Sequence, residues 1–138
     1  MEIKAGWPPN IQAIREKVNP TEHNVFAYHP YVYIPSGKPI TQDVALHEEI
    51  HLKQQEQIGV QKWWRKWLDD VSFRAEQEIE GYAAQYAYAR KVYTRNHADH
   101  ILTTAALGLS SPMYGNLGTY HEIEKKIKLK AKQYATPG

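Results

Sequence analysis

The 138-residue chain contains no cysteine. Disulfide bonds and thiolate zinc sites are therefore excluded, and any metal ion must be held by histidine and carboxylate side chains. No apolar run is long enough to cross a bilayer, and the N-terminal residues lack the apolar core of a signal peptide. The formal net charge is only +2, which argues against a nucleic-acid or membrane-surface partner. The absence of cysteine does not fix the compartment, but the lack of a membrane span and of a signal peptide predicts a soluble, intracellular protein.

The stretch His47-Glu48-Glu49-Ile50-His51 carries the clearest chemical pattern in the chain. Histidines four residues apart project from one face of a helix, with side chains that begin about 5 to 6 Å apart. The two histidines can therefore bind the same metal ion. Glu48 lies at the rim of that face, where it can accept a proton from a water molecule bound to the metal. This is the HExxH pattern of zinc metallopeptidases.

The surrounding residues predict one mostly helical α+β domain over residues 1–138. Aromatic and β-branched residues from Val25 to Ile34 predict two short strands or one kinked edge strand, and hence a small two- or three-stranded antiparallel sheet before the HExxH helix. That helix is predicted to be capped by Thr41 or Asp43 and to end before Gly59.

Helical periodicity predicts five further helices, one before the strands and four packed after the HExxH helix. The tryptophans at 63, 64 and 67 are expected to pack on the core, and the lysines of the last helix to form a solvated surface rather than a phosphate-binding one. The predicted helices cover about residues 8–19, 61–68, 70–94, 98–109 and 120–134.

Three glutamates lie on the predicted helix 70–94. At about 100° per residue, Glu78 lies about 60° from the centre of the apolar stripe, whereas Glu76 and Glu80 lie about 100° and 140° away on the other side. Glu78 is therefore the carboxylate expected to face inward. As candidates for a metal ligand, Glu80 ranks second and Glu76 third. A nearly buried carboxylate needs a partner charge, and a metal held by two neutral imidazoles would supply one.

The HExxH motif combined with Glu78-Ile79-Glu80-Gly81-Tyr82 resembles the gluzincin metallopeptidases, in which a downstream glutamate is the third zinc ligand. The resemblance is closest to small, minigluzincin-like bacterial and phage proteins with HExxHxxQ, a tryptophan-rich segment and then Glu-x-Glu-Ala-Tyr. It covers about Val44 to Tyr88, and the loop from Ser111 to Gly115 is also similar to that group.

The resemblance implies a zincin-like metallopeptidase domain with a Zn²⁺ cofactor and a peptide or protein substrate. Carried over by motif position, it makes His47, His51 and Glu78 the zinc ligands and Glu48 the general base. A cytoplasmic location in a bacterial or phage-infected host cell is also implied. A further donor should stabilise the oxyanion of the transition state. We assign it to Tyr114.

The chain departs from the family pattern at two positions. Gly81 replaces the usual alanine, a small-for-small change. Glu49 is charged where peptidase motifs usually carry an uncharged residue, which weakens the prediction of proteolysis more than that of metal binding. Gln54 and Gln57 stand where metzincins have glycine and a third histidine, so that subclass is excluded.

Tyr82 and His121 are the alternatives to Tyr114 as the donor that stabilises the oxyanion.

Further expectations concern the access of substrate to the site. The strand around Tyr31 to Ile34 is expected to pair with an extended peptide substrate by edge addition. The termini are read as short tails, and either tail could keep the peptidase latent by lying across the cleft.

Two other functional classes remain open. The chain could be a zinc-binding protein with a structural or assembly role and no peptidase activity. It could also be a metal-free helical interaction or nucleic-acid module, for which the C-terminal lysines are the only support. His97 and His100, three residues apart, are interpreted as ordinary histidines rather than a second metal site.

Overall fold

A computed structural model of the chain describes residues 1–112 and 118–135. These residues form six α-helices and one three-stranded sheet, which confirms the predicted mostly helical α+β class. Two compact units are present, Met1–Asp69 and Asp70–Gly138. Within the described ranges, no helix combines the length and apolarity needed to cross a membrane.

The first unit contains three strands and three helices. Helix α2 carries the HExxH motif and begins after Thr41, as predicted. It ends at Gly59, whose φ of 94° lies in a region that glycine adopts far more readily than other residues. The elements are β1 (Glu2–Ala5), α1 (Ile11–Lys17), β2 (Phe26–Tyr28), β3 (Tyr31–Ile34), α2 (Gln42–Ile58) and α3 (Val60–Asp69).

The sheet corrects two predictions. Its order is β1-β3-β2, with β1 parallel and β2 antiparallel to β3, so the sheet is mixed rather than antiparallel. Strand β1 is formed by the N-terminal residues, which the sequence predicts to be a tail. Because β3 has a strand on each side, Tyr31–Ile34 is not a free edge, and the prediction that a peptide substrate adds to it was wrong.

The buried side chain of Gln55 joins α2 to β2. Its Nε2 donates to the carbonyl of Ala27 over 2.8 Å, and its Oε1 accepts from the main-chain N–H of His29 over 2.7 Å. The indole Nε1 of Trp64 donates to the same Ala27 carbonyl over 2.9 Å. Gln55 is only 1% exposed. Helix α2 is thus tied to the sheet by hydrogen bonds as well as by packing.

Gln55→Ala is expected to lower the free energy of unfolding by about 2 kcal/mol, because the partly buried N–H of His29 loses its partner while Trp64 still donates to the Ala27 carbonyl. Urea denaturation measures the change. Gln57→Ala, at an exposed position of the same helix, is the matched control and should cost less than about 0.5 kcal/mol. Equal effects of the two substitutions would show that these bonds do not stabilise the unit.

The second unit is a group of three helices, α4 (Val71–Val92), α5 (Arg95–Leu109) and α6 (Tyr120–Ala135). Asp70 caps α4, because its side chain accepts a hydrogen bond from the main-chain N–H of Phe73 over 3.1 Å. The core that the helices share is rich in alanine, whose small side chain allows close packing. Its fully buried members are Ala83, Ala89, Ala98, Ala106 and Ile127.

The predictions for the tryptophans and for the lysines of the last helix are confirmed. Trp63, Trp64 and Trp67 are buried and their rings contact one another. The lysines of α6 are exposed, apart from one that is partly exposed, as expected for a solvated surface. Near the end of α6, partial burial raises the pKa of the Tyr134 hydroxyl, and the charge of Glu80 and a hydrogen bond to the Glu80 carboxylate raise this pKa further.

Candidate metal centre

Helix α2 holds three ionisable side chains out of solvent within two turns. His47, Glu48 and His51 are 6%, 7% and 4% exposed. The two histidines are four residues apart, so they lie on adjacent turns of the same face. Burial of such groups costs free energy unless polar contacts compensate it, so their position calls for an explanation.

The two imidazole rings converge through one nitrogen each. The Nε2 atoms of His47 and His51 lie 3.1 Å apart, with ring centroids separated by 4.8 Å. Two nitrogens bound to one tetrahedral zinc ion at about 2.0 to 2.1 Å would lie about 3.3 Å apart. The observed separation is therefore close to that of a chelating pair.

Gln54 fixes the protonation of one of these rings. Its Oε1 lies 2.8 Å from Nδ1 of His51, and Gln54 is itself buried. Because an amide oxygen only accepts hydrogen bonds, Nδ1 carries the proton, and in the neutral ring Nε2 of His51 is then the nitrogen that can bind a metal ion. The sequence argument did not give Gln54 this role, although its position three residues after His51 places both side chains on one helix face.

If the cluster binds a metal ion, Gln54→Leu is expected to weaken that binding, measured with zinc, by about 10- to 100-fold, the usual cost of losing a hydrogen bond that orients a ligand histidine. Competition with a chromophoric chelator measures the dissociation constant. Gln57→Leu, at an exposed position on the same helix, should leave it unchanged. Equal zinc affinities for the two variants would contradict the orienting role of Gln54.

Glu78 of α4 completes a group of three potential ligands with His47 and His51. All three side chains are buried, and one potential ligand atom from each lies within 4.8 Å of the others. Glu76 is exposed and Glu80 partly exposed, so the prediction that Glu78 is the inward-facing carboxylate is confirmed, whereas the wheel's order of Glu76 before Glu80 is not. The cluster could bind a metal ion, and it is the one such group found among residues 1–112 and 118–135.

The other described tyrosine and histidine candidates, Tyr82, His97, His100 and His121, lie on helices of the second unit. Tyr114 lies outside the described residues, so its assignment as the oxyanion donor stays a prediction. Tyr82 is partly buried and packs against the core of the second unit. His121 is exposed on α6. His97 and His100 are exposed on α5 and belong to no group of potential metal ligands in the described chain.

Comparison with known proteins finds no family model that matches this chain, and no match among curated proteins or solved structures. The chemistry of the buried cluster is therefore the observation from which a function can be inferred.

Proposed function

We propose that the chain is a zinc-dependent metallopeptidase of the gluzincin type. The observation that carries the proposal is the buried group of His47, His51 and Glu78, with Glu48 buried on the same helix as the histidines. Two imidazole nitrogens and one carboxylate are a donor set of catalytic zinc sites, which keep a fourth position for water or substrate. Calcium and magnesium prefer oxygen ligands, so the two nitrogens favour zinc.

Each residue of the cluster has a role in this reaction. A bound zinc ion supplies Lewis acidity, which lowers the pKa of water towards neutrality and polarises a carbonyl group. Glu48 accepts the proton of the attacking water and delivers it to the departing amine. His47, His51 and Glu78 would hold the ion, and the hydrogen bond from Gln54 would keep His51 in the tautomer that can bind it.

The proposed substrate is a peptide or protein, and the activity is narrow in specificity or latent. A small peptidase with an open cleft would endanger its own cell, which is the reason to consider latency. Residues Glu2–Ala5 of the N-terminal arm form β1, so deleting the arm would remove a strand of the sheet. Truncation after Ala135 is therefore the milder test, and casein hydrolysis that rises on truncation would support latency.

The proposal is tested by metal analysis and a peptide-library assay on protein purified without a histidine tag. We expect about one zinc ion per chain, and hydrolysis that stops with a zinc chelator and returns on adding zinc. The alternative, a zinc protein with a structural or assembly role, is favoured by the charged Glu49 in the motif. Stoichiometric zinc without hydrolysis, in the full and the truncated chain, would support it. Absence of zinc would overturn both.

A further inference from the structure

The first unit contains a cavity of about 320 Å³ that shares no residue with the metal cluster. Residues of α1, β2 and α3 line it. Ala13, Trp64 and Leu68 give it apolar surface, and Tyr28 of β2 adds an aromatic ring. A volume of this size is at the lower end of the range for small-ligand sites. The cavity can hold one apolar group of a few carbon atoms together with a polar attachment.

Asn10, which immediately precedes α1, lines this cavity and carries an unusual side-chain amide. Both Nδ2 and Oδ1 are buried, and neither has a hydrogen-bond partner. The side chain does not cap α1 either. An unpaired buried amide destabilises the folded chain, and native proteins keep few of them. In the described chain, Asn10 is the one side chain found with this property, which indicates a role other than stability.

The charges around the cavity are balanced. Glu16 on α1 and Arg65 on α3 line it with opposite signs, and both are exposed. Lys17 and Asp69, which also line it, form an ion pair of 3.4 Å across α1 and α3. A polyanion such as nucleic acid would meet two carboxylates here. A neutral or zwitterionic ligand is better matched to this mixture of charges.

We propose that this cavity binds a short peptide segment carrying one apolar side chain. The amide of Asn10 offers a donor and an acceptor, which complement the C=O and N–H of a peptide unit. The apolar side chain of the ligand packs on Trp64 and Leu68, while Glu16 and Arg65 face its polar ends. Rotation of the Asn10 side chain towards the cavity gives its amide the partners it otherwise lacks. The inference does not depend on the proposed peptidase activity.

The test uses the full chain, labelled with ¹⁵N and treated with EDTA so that hydrolysis cannot compete. N-acetyl-leucine N-methylamide is titrated in an NMR experiment that follows the side-chain NH₂ of Asn10 and the indole N–H of Trp64. We expect saturable shifts of both signals in the millimolar range or below. N-acetyl-leucine methyl ester, which lacks one amide N–H, should bind at least about 5-fold more weakly.

Asn10→Leu keeps a similar side-chain volume but removes the amide. We expect binding of the probe to weaken by about 10-fold or more, while the midpoint of thermal unfolding rises by about 3 °C because an unpaired buried group is lost. Asn19→Leu, at an exposed position after α1, should change neither quantity. Ala13→Phe fills the cavity and should abolish binding with Asn10 in place, which provides a second test if Asn10→Leu does not fold.

Four results would overturn the proposal. They are the absence of saturable shifts, equal binding of the ester and the amide, wild-type binding by both Asn10→Leu and Ala13→Phe, and a lower unfolding midpoint for Asn10→Leu. The last of these would show that the Asn10 amide stabilises the fold rather than recognising a ligand.

Discussion

Glu48→Gln is expected to lower peptide hydrolysis by about 10³-fold while the zinc content of the protein stays at one ion per chain. A carboxamide cannot accept the proton of the attacking water, and proton transfer by a positioned side chain contributes about 10² to 10⁴ to the rate of such reactions. Glutamine has nearly the same size and shape as glutamate, so the buried position of Glu48 remains filled. The measurement is kcat/KM on a peptide that the wild-type chain cleaves, beside metal analysis of the same samples.

Glu49→Gln is the matched control, since it removes the neighbouring charge without touching the proposed base. It should retain activity within a few fold, and it also restores an uncharged residue at the position where the chain departs from the peptidase pattern. Loss of zinc in Glu48→Gln would mean that Glu48 is a ligand and not the base. Unchanged turnover in Glu48→Gln would remove it from the mechanism.

Replacing any one of His47, His51 or Glu78 is expected to weaken zinc binding by at least about 10³-fold. In the proposed site each supplies one of three protein ligands, and the two ligands left after a substitution would hold the ion only weakly. For the wild-type chain, zinc at about 100 times its dissociation constant should add about 2.7 kcal/mol to the free energy of unfolding. His47→Ala, His51→Ala and Glu78→Gln should each lose most of this gain.

Thermal unfolding with and without zinc, combined with chelator competition, measures both effects. His97→Ala is the control, because His97 is an exposed histidine outside the cluster. The cluster would be rejected as a zinc site if zinc stabilised His51→Ala as strongly as it stabilised the wild-type chain. If only the two histidine variants lost zinc affinity and Glu78→Gln kept it, the third zinc ligand would have to be a residue other than Glu78.

Local patterns in the sequence predicted much of the fold and of the cluster. The bounds of α2 follow from Thr41 and Gly59, which are recognisable at helix ends. Glu78 was separated from Glu76 and Glu80 by rotation about a helix axis, and its burial agrees with that calculation. These features depend on residues within a few positions of one another, which is the range that periodicity reports.

Features of the sheet that depend on distant residues were not predicted. Strand β1 has the sequence Glu-Ile-Lys-Ala, with little of the apolar alternation of a strand, and it forms by pairing with β3 far along the chain. The central position of β3 follows from that pairing, so Tyr31–Ile34 was mistaken for an edge. The bonds from Gln55 to Ala27 and His29 span more than 25 residues. A glutamine on a helix gives no local sign of such partners.

The measurement that tests the central claim most directly is a crystal structure of the zinc-loaded chain with anomalous data collected at the zinc edge. We expect one strong zinc peak about 2.0 to 2.2 Å from Nε2 of His47, Nε2 of His51 and a carboxylate oxygen of Glu78, with a water at the fourth position. A structure from zinc-saturated protein with no zinc peak at this cluster, or with the ion held without Glu78, would contradict the proposed metallopeptidase centre.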